Sequence, residues 1–266
     1  MELLLRINMI RENIELDVLR TEYHTAEPFH HVVIDDFWLP EIAESLNDEF
    51  PEYDDTKIWN AHYNNAIENK KACNHWDKFP ATTYKAFNFL ATDWFQDKVR
   101  FITNRKDISL DTGLHGGGWH AHMNGGNLNM HLDYNVHPKL GLQRKLNIII
   151  YLTKDWNPCY GGGLEFWSHN EETNQPLAHV KTVDIKFNRA VLFDTTQNSW
   201  HGLPLPLSCP DDMVRQSMAA YYVGNAPVNT DDRPRARFAP RTDQIGDPVI
   251  EELIKQRSSI TTVKYT

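Results

Sequence analysis

The chain of 266 residues has no paired-cysteine motif, no long apolar run and no surplus of basic charge. Its three cysteines, Cys73, Cys159 and Cys209, are widely spaced and form no CxxC. An odd, scattered set excludes a disulfide scaffold or a cysteine-type zinc site, and predicts free thiols in a reducing compartment. The opening stretch, MELLLRINMIRENIELD, has only three consecutive leucines before Arg6. That is too short and too charged for a signal segment or a membrane span, so a cytoplasmic protein with no membrane partner is expected. A net charge of −9 argues against sequence-independent nucleic-acid binding, which needs a basic surface. What is present is an ordinary globular composition, 41% hydrophobic and 24% charged, on a chain long enough to bury a central core.

No internal repeat or low-complexity run stands out, so one domain over 1–266 is expected, in three parts. The first, 29–107, supplies a strand and supporting helices after a polar lead-in. FHHVVIDDF (29–37) is β-branched and predicts a strand, while Ile42, Leu46 and Phe50 recur at a helical spacing of four after Pro40. Helical periodicity returns across 81–103, with Tyr84, Phe87, Leu90 and Phe95 on one stripe. From 108 to 224 the texture changes to short β-rich runs punctuated by Gly, Pro and Asn. Those runs are KLNIIIYLT (145–153), GGLEFWS (162–168), HVKTVDIKF (179–187), RAVLFD (189–194), HGLPLPL (201–207) and RQSMAAYYV (215–223). Such spacing predicts an antiparallel sandwich or barrel. The remainder, 225–266, reads as a Pro- and charge-rich loop followed by a short helix, with Asp247 as N-cap and Pro248 behind it.

The chemistry concentrates in NMHLDYNVH (129–137). Side chains two apart on a strand face the same way, so His131 and Asp133 aim an imidazole and a carboxylate at one point. A third donor must come from a distant strand. His201 is the best candidate, 68 residues after Asp133 and between two strand-like segments. Two His and one carboxylate on one face of an octahedron leave open positions, as in non-haem Fe(II) oxygenases. One HxD pair among 13 histidines is weak on its own; the ordered set of motifs downstream of it adds weight.

His131-x-Asp133, YLTKDW, YGGGLEFW, LFD, His201-Gly and Arg215, taken in that order over roughly 115–223, resemble the prolyl-4-hydroxylase-like group of 2-oxoglutarate/Fe(II) dioxygenases. The resemblance implies a mostly β (α+β) fold. It is a double-stranded β-helix, or jelly roll, with N-terminal helices packed on the sheet and a short C-terminal helix. It implies Fe(II) held by His131, Asp133 and His201, with 2-oxoglutarate as co-substrate, O2 as oxidant and ascorbate as an optional support. The far carboxylate of the co-substrate needs a cation. Arg215 suits it as a planar, always charged fork, and lies 14 residues after His201 as the pattern implies. Ser217 shares its face, Tyr151 aligns with a tyrosine that serves the same end in this family, and Asn147 shares the face of Tyr151. The implied reaction is hydroxylation of an unactivated C–H bond in a polar substrate: a prolyl residue, or a small amino-acid or sugar-like molecule. His122, Asn129, Trp119 and Trp200 are the expected substrate contacts, and the partner is a small molecule or a peptide or protein.

Other readings remain open at this point. His120-Ala121-His122 is a cupin-type opening, but the glutamate such enzymes place four or five residues later is Gly126 or Asn127 here. A cupin-type metalloenzyme not using 2-oxoglutarate, or a non-catalytic jelly-roll binding protein, are the alternatives. HGGGWH (115–120) lacks the Lys-Ser/Thr of a phosphate loop. Arg144 is a rival cation to Arg215, expected to be exposed where its strand begins. The arginine-rich 225–246 segment is expected to be a solvated loop, with closure over the site as the other possibility.

Overall fold

Period-two patterning decides how the sheet divides its two faces. The computed structural model describes residues 8–259, so the leucine-rich start at 3–5 lies outside the described residues. In chain order the elements are α1 (Leu16–Thr25), β1 (His31–Ile34), α2 (Pro40–Asp48), β2 (Ala61–Asn65) and β3 (Glu68–Cys73). Next come α3 (Ala81–Leu90), α4 (Asp93–Thr103), β4 (Ile108–Leu110), β5 (Gly118–His122), β6 (Asn127–Leu132) and β7 (Gln143–Tyr151). β8 (Leu164–Asn170), β9 (Gln175–Val183), β10 (Ala190–Asp194), β11 (Trp200–Leu203), β12 (Arg215–Gly224), β13 (Arg237–Phe238) and α5 (Pro248–Ser258) complete the chain. The strands form one continuous antiparallel sheet in the order β1-β10-β7-β12-β5-β3-β6-β11-β8-β9, with β2 on β3, β4 on β12 and β13 on β6. It curls into the expected jelly roll. All three cysteines are free thiols, and among the described residues no helix is long and apolar enough to cross a membrane.

Alternation along the strands sorts residues between helix-covered outside and barrel inside. On β7, Leu146, Ile148 and Ile150 join a core with Leu46, Phe87, Phe95 and Val99 of the helices. The intervening Asn147 and Ile149 face the cavity. On β12, Met218, Ala220 and Tyr222 pack outward, while Arg215, Ser217, Ala219 and Tyr221 line the inside. At roughly 25 cal/mol per Å² of buried apolar area, this helix-on-sheet layer is the main source of stability, and it leaves the inner face free for polar work.

The helical periodicity across 81–103 is realised as two helices. Thr92 interrupts it and caps α4, its hydroxyl accepting from Phe95 N. Tyr84 is 48% exposed and off the buried stripe. β2 and β3 fall where no strand was expected, because HYNN and ENKKA are polar on both faces. β13 likewise lies in a segment expected to be loop.

Candidate active site

β6 and β11 are antiparallel neighbours, with His131 directly opposite His201. The two rings lie 4.3 Å apart between centroids. Asp133, one residue beyond β6, reaches back between them. His131 Nε2 is 3.7 Å from its Oδ1 and His201 Nε2 is 3.7 Å from its Oδ2. The three donors all lie within 4.8 Å of one another and form the one such cluster found among the described residues. Each imidazole is held from behind. His131 Nδ1 donates to Asn129 O at 3.0 Å and His201 Nδ1 to Ser199 O at 2.8 Å, so both Nε2 lone pairs point at the carboxylate. Burial, and then the neighbouring His131, push His201 down to about 4, which keeps it an unprotonated donor. Asp133 Oδ2 is buried and has no hydrogen-bond partner among the described residues. A carboxylate oxygen left bare between two imidazoles fits a divalent cation. A side chain on Gly202 would place its Cβ 2.7 Å from Leu128 O, so the residue after His201 must be small for β11 to lie this close to β6.

The other oxygen of Asp133 is taken. Arg144 Nη1 lies 2.7 Å from Oδ1, and its guanidinium stacks between Tyr134 and Tyr221, 3.7 and 3.3 Å from the ring centroids. The expectation that Arg144 is exposed is therefore corrected: it is 1% exposed. The cause is a β-bulge. Opposite β12, Val223 pairs with Arg144 and Tyr222 with Leu146, leaving Lys145 as an extra residue. Without it Arg144 would share the outer face of Leu146; with it the side chain turns inward. Burial opposes ionisation of Asp133, but Arg144, with the two histidines, holds its carboxyl well below the ordinary carboxylate range.

Arg215 marks the other end of the cavity. It is 3% exposed, and Nε donates to Gly162 O at 2.9 Å. Among the described residues it pairs with no carboxylate; Tyr151 is the one neighbour that offsets its burial. Ser217 sits across from Tyr151 on β7 and from His120 on β5, and Arg215 pairs with His122. Around it, Tyr151 Oη, Asn147 Oδ1 and both ring nitrogens of His122 are buried with no partner among the described residues. Native interiors rarely leave several polar atoms unmatched in one place, so this end is built to receive a polar, negatively charged ligand. The His120/His122 pair belongs to this end, on β5, and is not part of the three-donor cluster.

Residues 118–223 match the model of the 2OG-Fe(II) oxygenase superfamily. The match supports a 2OG-Fe(II) oxygenase domain over these residues, and with it a 2-oxoglutarate-dependent dioxygenase whose chemistry uses Fe(II), 2-oxoglutarate and O2. The fold is that of a Pseudomonas putida prolyl-4-hydroxylase, at 16% identity and TM-score 0.53, covering 79% of this chain and 100% of that one. A prolyl hydroxylase from Trichoplax adhaerens, solved with a hypoxia-inducible factor peptide fragment, matches at 15% identity and TM-score 0.55, covering 79% and 90%. SnoK, a non-haem α-ketoglutarate-dependent carbocyclase of nogalamycin biosynthesis, matches at 14% and 0.52, covering 91% of each chain. A search among curated protein sequences found no significant match.

The oxygenase cavity, about 170 Å³, does not take every residue expected at its mouth. His122 lines it, but Trp119 does not. Being an odd number of positions away on β5, Trp119 faces outward and packs on Phe50 and Phe79. Trp200, next to His201, likewise faces away and donates Nε1 to His169 Nδ1 at 2.9 Å. Asn129 is turned aside by a second bulge, where two residues of β6 between Leu128 and His131 oppose only Gly202 on β11. It holds the C-terminal segment instead, donating to Ala239 O and Gln244 Oε1. That segment is no solvated loop. β13 pairs with β6 at His131 and Leu132, Phe238 stacks on the His131 ring, and Arg233 Nε donates to Asp133 O at 3.1 Å. Sequence reasoning missed Tyr63, Glu68 and Lys70 of the β2–β3 hairpin, and Phe238 and Arg257 of the C-terminal part, all of which line the mouth. Neither segment carries a motif. The one available hint was charge, a lone Glu68 followed closely by Lys70 and Lys71 in ENKKA.

Proposed function

We propose that His131, Asp133 and His201 hold Fe(II), that Arg215 seats the far carboxylate of 2-oxoglutarate, and that the enzyme hydroxylates an unactivated C–H bond of a polar substrate. The reading rests above all on Asp133 Oδ2, a buried oxygen without a partner between two imidazoles from strands that meet only in the folded barrel. When bound, the metal and co-substrate supply oxygen activation coupled to decarboxylation of 2-oxoglutarate. The protein's part is placement. The backbone carbonyls of Asn129 and Ser199 fix the histidine tautomers. Arg144 occupies Oδ1 of Asp133 and leaves Oδ2 to face the metal. Arg215, Ser217, Tyr151 and Asn147 offer donors and acceptors at the co-substrate end, and His122 remains beside them. A prolyl residue, or a small amino-acid or sugar-like molecule, meets the requirement for a polar substrate. Three free thiols suit a reducing, cytoplasmic setting.

The test is anaerobic Fe(II) titration with 2-oxoglutarate, read as the weak visible charge-transfer band of the chelate. Wild type should show it, and His131→Ala and Asp133→Ala should abolish it. A band that survives both substitutions would refute the assignment.

A further inference from the structure

The cavity wall has an imbalance of charge that the metal and co-substrate do not remove. Among the described residues, Lys70, Arg144, Arg215 and Arg257 face it, against Glu68 and Asp133. Two positive charges are in excess. A divalent iron and a doubly negative co-substrate cancel one another, so the excess persists in the loaded site. It is divided unevenly. Arg144 is matched by Asp133 and Arg215 faces the co-substrate end, whereas Lys70 and Arg257 share the single carboxylate of Glu68 at the mouth.

The mouth group is held rigidly and is not exhausted by its own contacts. Glu68 is 3% exposed and lies 3.2 Å from Lys70 Nζ; Arg257 Nη2 holds its other oxygen. Burial of Glu68 opposes its charge, but Lys70 and Arg257 outweigh that and keep it ionised. Tyr63 lies under both cations, 5.7 Å from Lys70 Nζ and 5.0 Å from the Arg257 guanidinium. Among the described residues Arg257 Nε is buried with no partner, and the Lys70 ammonium has two further protons to donate. The Lys70 and Arg257 side chains are 12% and 26% exposed, and both line the cavity. A low-dielectric recess with surplus positive charge and spare donors favours an anion over any neutral ligand of the same shape.

We infer that the substrate of this oxygenase is a small anionic molecule whose carboxylate or phosphate lies between Lys70 and Arg257 while its reacting carbon points down toward His131 and His201. The inference rests on the oxygenase reading above and adds the substrate class. The cavity is smaller than the roughly 300–1,000 Å³ of pockets that enclose a drug-sized ligand, so a compact acid suits it better than a folded peptide loop. The fit is to a free acid or phosphomonoester, and not to a neutral internal prolyl residue.

The experiment measures equilibrium binding to protein loaded with Mn(II) and 2-oxoglutarate, using matched probes. These are N-acetyl amino acids against their N-methylamides, glycerol 3-phosphate against glycerol, and a capped neutral prolyl peptide. The acid or the phosphate should bind about tenfold tighter than its neutral partner, with affinity falling as salt rises; which pair discriminates identifies the anion. Lys70→Gln and Arg257→Gln should each erase most of that preference, and Arg257→Lys should retain part of it. Equal or tighter binding of the neutral probes or the prolyl peptide, or no binding by any anion, overturns the inference. So does an unchanged anion preference in variants that have merely lost melting temperature, since the cluster would then be only a clasp between the hairpin and α5. Loss of the Fe(II)–2-oxoglutarate band would instead defeat the oxygenase reading, so the two failures are separable.

Discussion

Two arginines face one cavity, both buried, and they are wired in opposite ways. Arg144 meets Asp133 at 2.7 Å and lies between two tyrosine rings. Among the described residues Arg215 meets only a backbone carbonyl and the Tyr151 ring, amid unmatched polar atoms on Tyr151, Asn147 and His122. Burying a charge costs several kcal/mol unless something compensates it. For Arg144 the fold supplies a carboxylate; for Arg215 it supplies a tyrosine and a backbone carbonyl but no counter-charge. Burial alone therefore says nothing about role. The valence left over does: a matched buried cation is architecture, and an unmatched one is a binding site that the fold maintains at its own expense in stability.

That contrast can be broken by replacing each arginine with methionine. The largest effect expected is on co-substrate affinity. Arg215→Met should weaken 2-oxoglutarate binding about 100-fold, or about 3 kcal/mol, because the ligand's far carboxylate then lies buried and unpaired. The same variant should bind Mn(II) normally and lose no stability in the unliganded state, since an uncompensated charge has been removed. Calorimetric titration and urea unfolding measure the two quantities. Arg144→Met should behave the other way. It strands Asp133, so the unliganded protein should lose about 3 kcal/mol in urea unfolding. Mn(II) should restore more stability to this variant than to wild type, because the ion supplies the missing positive charge. If Arg215→Met proves the more destabilising of the two before ligand is added, the division between architecture and site is wrong.

The same bulges that set this contrast limited what the sequence could reveal. His131, Asp133, His201, Arg215 and Ser217 were legible because alternation along β6 and just past its end, and along β12, groups two pairs of them by face, and a recognisable order of motifs adds His201 on β11. Arg144 was not, since a single extra residue, Lys145, reverses the parity of its strand end, and no composition signal announces a bulge. Trp119 and Trp200 show the converse error. Each sits an odd number of positions from a cavity-facing histidine, and alternation applied strictly would have turned both outward. The β2–β3 hairpin escaped because β3 gains its order from pairing with β5 and β6, and β2 from pairing with β3, not from an apolar face of their own. The C-terminal part escaped for a similar reason: its strand is two residues long and its anchor, Asn129, is on the far side of the sequence.

The smallest effect separates the two arginines most cleanly. Burial first, and Arg215 second, hold His122 well below the usual histidine value. A histidine depressed in the folded state contributes stability that is present above its unfolded value, about 6.5, and is lost as pH falls below it toward the folded value. The unliganded protein should therefore lose urea resistance between about pH 7 and 5, and His122→Gln should remove part of that loss. In an Arg215→Met background the part removed should shrink, because one cause of the depression is gone. In an Arg144→Met background it should stay as in wild type, since Arg144 is not among the groups acting on His122. Equal shrinkage in both backgrounds would mean that the two guanidinium groups share one electrostatic field, and that the cavity has no separate co-substrate end.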